Sequence, residues 1–493
     1  MIEIRNVSFS YEGAEQKPAL TNINFQVRDG ELVVLAGVSG CGKTTLTRLL
    51  NGLIPDCFQG DFKGSVSVNG KNPQREKAIG MSRIVGSVFQ NPKSQFFNIN
   101  SRNELAFSLE NRGVPREEIL KRIEDIGEKL HMKPLIGRNM FHLSGGEKQK
   151  IAFASVSMAD SELLVLDEPS SNLDMEAIRD LRRVIQIWKG EGKTIVISEH
   201  RFFFLKDLVD KLVLMEDGTI KTVWRGEELK YLTPETMHRN GLRCFELSGC
   251  RKPQKMSTEE AGKLSIRHLH FSYPNSDKGI DLQKQSFEAG KVVAVIGHNG
   301  AGKSTFLRCL SGLQKHTEAE VTLYGKVVPI HKMLDHTTMV MQDVNHQLFS
   351  DSVESELLFE LKRRKISKQQ RTEEANRWLK EIQLESVKDQ HPMSVSGGQK
   401  QRLAIAAAAL AEKDVILFDE PTSGLDYVHM KQVAVLIRKL AELGKIIFIV
   451  SHDLDLLLST CDEVLLIENG CVENRYSLSE ETQCELISWF QLL

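Results

Sequence analysis

An α/β fold in two copies is predicted by three features of this 493-residue chain. Two Gly-rich loops of the pattern G-x-x-x-x-G-K-[ST] recur in register. Each is entered by a strand that is apolar throughout, and each copy begins with a strand in which apolar residues alternate. A continuously apolar run marks a strand covered on both faces, as in a parallel sheet flanked by helices, whereas alternation marks an antiparallel layer covered on one face. The expected copy is therefore a parallel-sheet core with an antiparallel β subdomain before it and a helical subdomain inserted into it.

The elements follow in the same order in both copies. The opening strands carry Ile2, Ile4, Val7, Phe9 and Tyr11 in the first copy and Leu264, Ile266, Leu269, Phe271 and Tyr273 in the second. The change of step in the middle calls for a slip or bulge. Leu32–Ala36 and Val292–Ile296 then feed the loops, and helical patterns follow at Thr44–Asn51 and Ser304–Ser311. Further buried strands are expected at Leu163–Leu166, Thr194–Ser198, Val415–Phe418 and Ile446–Val450. The copies occupy 1–225 and 263–493, joined by a polar linker, 226–262, mobile near its C-terminal end, with an undeciphered tail from Glu473 to Leu493.

The register of the repeat is measurable. Tyr11 and Tyr273 differ by 262 and Lys43 and Lys303 by 260, while Gln90/Gln342, Ser144/Ser396, Asp167/Asp419 and His200/His452 each differ by 252. The drop of eight falls between the loop lysine and the glutamine, and Pro55–Lys63 is the expected insertion. Offsets of this length mark duplicated domains, not a solenoid.

Composition narrows the function. The net charge of −2 gives no global basic field, so nucleic acid is not an expected partner. The eight cysteines form no C-x-x-C pair, which leaves reduced thiols as the plain reading. The longest apolar run, Leu403–Ala411, is about half of what a bilayer-spanning helix needs, so any membrane role is expected to come through partners.

Three motifs carry chemistry. Gly37, Gly40 and Gly42 in one loop, and Gly297, Gly300 and Gly302 in the other, let backbone N–H groups point at phosphate oxygens at the positive end of the next helix. Lys43 and Lys303 add charge on the β and γ phosphates, and Thr44 and Ser304 offer a hydroxyl to Mg²⁺. Their neighbours Thr45 and Thr305 are counted with the nucleotide contacts. LVLDEPSSNLD (Leu164–Asp174) and ILFDEPTSGLD (Ile416–Asp426) end a strand on Asp167 or Asp419, placed to hold Mg²⁺, beside Glu168 or Glu420, placed to polarise water. Finally, Ser144-Gly145-Gly146 and Ser396-Gly397-Gly398 each open a helix and form a second anion site.

With Gln90 and Gln342 after a strand and a late His200 and His452, this set resembles the ATP-binding cassette (ABC) ATPases over almost the whole chain. The resemblance implies two P-loop NTPase ABC cassettes, ATP and Mg²⁺ as cofactors, and an intrachain pseudo-dimer with two composite ATP sites. One site would use Lys43, Thr44, Gln90, Asp167, Glu168 and His200 with Ser396 and Gly398 opposite. The other would use Lys303, Ser304, Gln342, Asp419, Glu420 and His452 with Ser144 and Gly146 opposite. Gln90 and Gln342 would also approach the metal, and Tyr11 and Tyr273 match the aromatic that stacks on adenine, with a strand-end core aromatic as the competing reading. Two departures stand out. His200 lies in SEHR, whereas His452 lies in the commoner SHD, and Lys150 replaces Arg402 in the helix that follows the Ser-Gly-Gly.

Phe89-Gln90-Asn91-Pro92-Lys93-Ser94-Gln95, followed by Glu104-Leu105-Ala106-Phe107-Ser108-Leu109-Glu110-Asn111, resembles the energy-coupling factor (ECF) branch of importers, with a looser echo from Gln342 to Phe359. That branch implies a motor at the cytoplasmic face of a prokaryotic cell membrane. Its partners would be a transmembrane scaffold subunit and a small substrate-binding membrane subunit for a vitamin, vitamin precursor or transition-metal ion. Gln95 and Gln347 would sit near the groove for the scaffold. The alternatives are a tandem sugar-importer ATPase, or a soluble ABC ATPase of translation or repair.

Overall fold

Apolar alternation and continuous apolar runs become two kinds of sheet in each half of the chain. The computed structural model describes residues 1–13, 18–91, 94–171, 173–246, 263–274 and 278–492. The described residues fall into two compact units, the first drawn chiefly from residues before 247 and the second chiefly from those after 262.

In the first unit the strands are β1 (Ile2–Tyr11), β2 (Leu20–Val27), β3 (Leu32–Ala36), β4 (Gly60–Val68), β5 (Val85–Val88), β6 (Leu163–Asp167), β7 (Thr194–Ser198), β8 (Lys211–Glu216) and β9 (Thr219–Arg225). An antiparallel sheet runs β2-β1-β4, and a second sheet runs β5-β6-β7-β3-β8-β9, parallel except for the last pair. The second unit repeats this with β10 (Lys263–Ser272), β11 (Gly279–Glu288), β12 (Val292–Ile296), β13 (Glu318–Leu323), β14 (Lys326–Val328), β15 (Thr337–Val340), β16 (Val415–Asp419), β17 (Ile446–Val450), β18 (Glu463–Glu468) and β19 (Cys471–Ser477). One parallel bridge, Asp281 to Cys471, joins its antiparallel layer to its core, so the described strands form a ten-stranded sheet. At the corresponding place the first unit has the hydrogen bond from Thr21 N–H to Gly218 C=O at 2.8 Å.

The expected strands are present. All five residues of β3 and of β12 are buried, as a strand covered on both faces requires. β1 slips against β2 between Ile4 and Val7, where Asn6 takes a positive φ of 50°. The loop helices, Lys43–Leu50 and Lys303–Leu310, lie between the two β layers. Leu46, Leu49 and Leu50 share a core with Ile4 and Phe9 on one side and with Val33 and Val196 on the other. Phe306, Leu307 and Leu310 do the same in the second unit. Each such fully buried side chain contributes roughly 1.5–3 kcal/mol, so the helix carrying the loop lysine is held firmly against both sheets. The helical subdomains comprise Ser101–Glu110, Arg116–Lys129 and Gly145–Met158, and Val353–Leu361, Lys368–Glu381 and Gly397–Leu410.

The eight-residue drop in the repeat proves to be split. Val66 pairs with Ile4 as Val321 pairs with Ile266, which sets the offset at 255 between β4 and β13. Five extra residues thus fall where the insertion was expected. The other three lie between β4 and β5, where a helix at Pro73–Met81 stands in place of the 3₁₀ turn Ile330–Asp335.

Residues 226–246, expected as linker, carry helices at Glu227–Lys230 and Pro234–Arg239 and bury Met237 and Leu242. The rest of the linker lies outside the described residues. The tail forms a helix, Gln483–Leu492, that buries Leu486 and Phe490 and sets the Trp489 ring 5.9 Å from that of the loop residue His298. Among the described residues no helix is long and apolar enough to cross a membrane.

Candidate functional site

The chemistry-bearing residues of each unit gather at the carboxyl ends of adjacent parallel strands, where an open α/β sheet offers its crevice. In the first unit β3 ends in the Gly-rich loop, β7 in Ser198-Glu199-His200 and β6 in Asp167-Glu168. The corresponding strands β12, β17 and β16 are likewise neighbours.

The loop is shaped by its glycines. Gly37 and Gly297 have φ of 143° and 151°, and a Cβ there would lie 2.3 Å from the Met215 carbonyl or 2.0 Å from that of Ile467. A Cβ on Gly40 or Gly300 would meet nothing within 4 Å, which leaves the mouth of the cradle open. Gly42 and Gly302 are the left-handed N-caps of the following helices. The lysines fold back over the loop: Lys43 Nζ donates to the carbonyls of Gly37 at 2.9 Å and Val38 at 3.1 Å, and Lys303 Nζ to those of Gly297 at 2.7 Å and His298 at 2.9 Å.

Thr44 Oγ1 donates to Asp167 Oδ1, and Ser304 Oγ to Asp419 Oδ1, both at 3.2 Å. Burial, with the neighbouring Glu168 or Glu420 charge second, raises both aspartate pKa values above the ordinary range. A hydroxyl paired with a carboxylate that is costly to ionise is a donor set a hard divalent cation fits. These four residues could hold Mg²⁺, which would supply charge neutralisation at the phosphates.

Glu168 is held from two sides: Gln90 Nε2 donates to its Oε2 at 2.6 Å, and His200 Nε2 lies 3.1 Å from its Oε1. Burial pushes its pKa up, but the His200 hydrogen bond and the His200 and Lys43 charges outweigh that and hold it below the usual value. In the second unit His452 Nε2 lies 3.5 Å from Glu420 Oε1, and the His452 N–H donates to Oε2 at 3.2 Å. Gln342, like Gln90, is exposed. Both glutamates adopt positive φ, 46° and 51°, fixed by N–H bonds to the Ser198 and Val450 carbonyls at 2.8 Å. A non-glycine residue held there is a strained feature of the type that concentrates at functional sites. Nothing in the sequence signalled it.

The departure at SEHR has a structural answer. Glu199 is buried, its Oε2 accepting from Ser170 N–H at 3.2 Å and its Oε1 from the N–H groups of His200 at 2.7 Å and Arg201 at 3.1 Å. In the second unit the carboxylate sits on the other side of the histidine, where Asp453 Oδ2 accepts from Thr422 Oγ1 at 2.7 Å. Each unit ties the loop after the strand-end Glu to its histidine loop through one buried carboxylate, moved by two positions. The other departure is also local. Lys150 pairs with Asp180 at 2.5 Å, whereas Arg402 is buried and donates to the Ile382 carbonyl and to Gln432.

Ser144 and Ser396 are exposed N-caps in capping boxes with Glu147 and Gln399. Gly145 and Gly397 are exposed beside them, whereas Gly146 is half-buried and Gly398 buried. Neither serine hydrogen-bonds to the Gly-rich loop of its own unit. Tyr11 and Tyr273 are half-buried, with hydroxyls 3.1 Å from Thr45 Oγ1 and 3.2 Å from Thr305 Oγ1 and rings set edge-on to Phe9 and Phe271. Gln95 and Gln347 latch their own loops, accepting from the N–H groups of Phe89 at 3.3 Å and Met341 at 2.8 Å.

The ABC transporter family matches residues 20–171 and 282–423, so each unit carries one match. The chain belongs to the ABC transporter family. Two Treponema denticola proteins named as ABC transporter ATP-binding proteins are 39% and 38% identical to it, each aligned over 99% of both chains. Among solved structures, the RNase-L Inhibitor matches with a TM-score of 0.66 at 22% identity, over 98% of this chain and 92% of its own. An ABCE1 from a ribosome-bound archaeal complex matches with a TM-score of 0.69 at 22% identity, over 98% and 80%. These two likenesses establish the fold alone. As a two-cassette ABC ATPase, the chain binds and hydrolyses ATP.

Proposed function

We propose that this ABC ATPase is the motor subunit of an ECF-type importer for a vitamin, vitamin precursor or transition-metal ion, working at the cytoplasmic face of the cell membrane. The observation that carries the reading is a pair of phenylalanines presented to solvent by buried carboxylates. Phe97 is 76% exposed, yet Glu104, only 5% exposed, accepts from the N–H groups of Phe97 at 3.1 Å and Asn98 at 2.8 Å. In the second unit Phe349 is 69% exposed, and buried Glu356 accepts from the N–H groups of Phe349 at 3.1 Å and Ser350 at 2.8 Å. Phe97 also stacks on Phe107 at 5.1 Å. A buried acid spent on holding an aromatic out in water supports a contact surface. It lies in the stretch whose sequence resembles the ECF branch, so a helical segment of a transmembrane scaffold is the partner it fits, with the small substrate-binding subunit reached through that scaffold.

Within this reading Lys43, Thr44, Gln90, Asp167, Glu168 and His200 handle ATP in the first cassette and Lys303, Ser304, Gln342, Asp419, Glu420 and His452 in the second, while Ser144 with Gly146 and Ser396 with Gly398 offer further anion sites at helix N-termini. Each signature serine and glycine can hydrogen-bond a γ-phosphate and loses that partner on hydrolysis, so the contacts these residues make differ between nucleotide states. The names of the Treponema denticola relatives support the transport role. The ribosome-linked neighbours share the fold only, and the net charge of −2 gives no basic field for RNA.

Purification from membranes tests the assignment. The chain is expected in a detergent-stable complex with a polytopic subunit, and Phe97→Asp with Phe349→Asp is expected to release it without shifting the thermal midpoint of the isolated protein. Sedimentation with ribosomes in place of such a complex overturns the proposal. The adenine platform has its own test. Base–aromatic stacking is worth about 1–3 kcal/mol, so Tyr273→Ala should weaken ATP binding at that site by about five-fold or more. Unchanged affinity returns Tyr273 to a packing role.

A further inference from the structure

The second unit carries a cluster of ligand-type side chains that the ATPase chemistry does not use. β10 alternates, sending Leu269 and Phe271 into the core and leaving His268 and His270 on the outer face. Asp281 of β11 is the cross-strand partner of His270, and its neighbours Ile280 and Leu282 are core residues, so its side chain shares that outer face. His268 Nε2 lies 3.7 Å from Asp281 Oδ1 and His270 Nδ1 lies 4.0 Å from Oδ2. One ligand atom from each of the three residues falls within 4.8 Å of the others. Asp281 Oδ1 is shielded from solvent and accepts no hydrogen bond.

These separations suit a small cation. Ligands 2.0–2.1 Å from a tetrahedral zinc stand roughly 3.4 Å apart, so modest side-chain rotations would close the triad. A fourth group stands across the next strand, outside the set whose ligand atoms lie within 4.8 Å of one another. Cys471 of β19 is the parallel partner of Asp281, and it is exposed while Val472 packs on the core, which puts the thiol on the same outer face. As ion pairs alone these half-exposed contacts would contribute little, since surface pairs are worth about 0–1 kcal/mol.

The duplication provides an internal contrast. At the repeat offsets of 262, 260 and 252 the first unit has Asn6, Ser8, Thr21 and Thr219 in place of His268, His270, Asp281 and Cys471. None of these is a strong metal ligand, and Asn6 and Ser8 make local bonds to Asn24 Oδ1 and the Asn22 N–H. The fold therefore does not require the His-His-Asp-Cys set.

We propose that His268, His270 and Asp281 form a binding site for a zinc-like divalent cation, with the Cys471 thiolate as its fourth ligand. Two imidazoles, one carboxylate and one thiolate favour zinc over magnesium or calcium. The cation would link β10 and β11 of the antiparallel layer to β19, whose partner β18 runs beside β12, and so pin that layer to the core at its single strand bridge.

The test uses the full chain stripped with chelator and free of nucleotide. After loading with Zn²⁺ and desalting, wild type is expected to retain one more zinc per chain than the double variant His268→Asn/His270→Ser, which carries the residues of the first unit. Zinc should raise the thermal midpoint of wild type only. Asp281→Thr should weaken binding at least about ten-fold, since even outer-shell changes cost that much. With Co²⁺ as probe, wild type should show d–d absorption together with a sulfur-to-cobalt charge-transfer band, and Cys471→Ser should lose only the band. Equal zinc content in wild type and the double variant overturns the site, and a band that survives Cys471→Ser removes that residue from it. Because both histidines face solvent, the double variant should keep wild-type ATP turnover, which checks that it is folded.

Discussion

Replacing both Glu168 and Glu420 by Gln is expected to lower ATP turnover by about 10²–10⁴-fold, the usual contribution of a positioned proton acceptor, while leaving ATP bound. The size follows from how each carboxylate is placed. Both side chains sit at the end of a buried strand on a backbone held at positive φ, so the position survives exchange to Gln while the charge does not. Glu168 has its pKa held below the usual value by His200 despite burial, and it is therefore ionised at neutral pH. In the Gln variant one carboxylate oxygen becomes an NH₂ group, which cannot accept from both Gln90 and His200 and cannot draw a proton from water. The single variants then separate two modes of working. Half of the wild-type rate in each would mean that the sites fire independently, and the double-variant rate in each would mean that they fire only together. Unchanged turnover in the double variant would remove both glutamates from catalysis.

The parts of the site legible in the sequence were those built from contiguous residues. The Gly-rich loops, the strand-end Asp-Glu pairs and the Ser-Gly-Gly caps were readable because their chemistry depends on local backbone geometry, and β3, β6, β7 and their repeats formed where continuous apolar runs placed them. What stayed hidden depends on residues brought together from afar. That Glu104 is a brace for Phe97 cannot be read from ELAF, because the same alternation also packs a helix. The glutamine loops showed a shared residue, but that Gln90, though exposed, reaches Glu168 across 78 residues depends on loop conformation. The His268–His270–Asp281 cluster required the β10–β11 register. The division of the insertion is hidden in the sequence because a gap measured only at its ends cannot show that the extra residues are divided.

Glu199→Ala is the second large effect expected, about 2–4 kcal/mol of lost stability in the first unit, with a fall in turnover besides. The carboxylate accepts the N–H groups of Ser170, His200 and Arg201, and alanine leaves these donors unpaired in a buried place where water replaces the bonds poorly. The same shift frees the backbone that presents His200 to Glu168, so structure and chemistry should suffer together. Burial, ahead of its hydrogen bonds, raises the pKa of Glu199 above the usual 4.5. The folded protein therefore binds this proton more readily than the unfolded chain does. Its stability should fall as pH rises from the unfolded pKa through the higher folded one, and that slope should vanish in the variant. Glu199→Gln should be milder, because Oε1 can still accept from His200 and Arg201 while its NH₂ opposes the Ser170 N–H. The decisive variant is Glu199→Ser with Arg201→Asp, which rebuilds the Ser-His-Asp order of the second unit. Ser170 is buried at the position that Thr422 holds in the second unit, and the introduced carboxylate would give its Oγ the bond that Thr422 makes to Asp453. Recovery of both the thermal midpoint and turnover relative to Glu199→Ala would establish that the two cassettes solve one anchoring problem from opposite sides of the histidine. A rebuilt variant as weak as the alanine would mean that Glu199 acts through its own charge, and the anchoring account would fail.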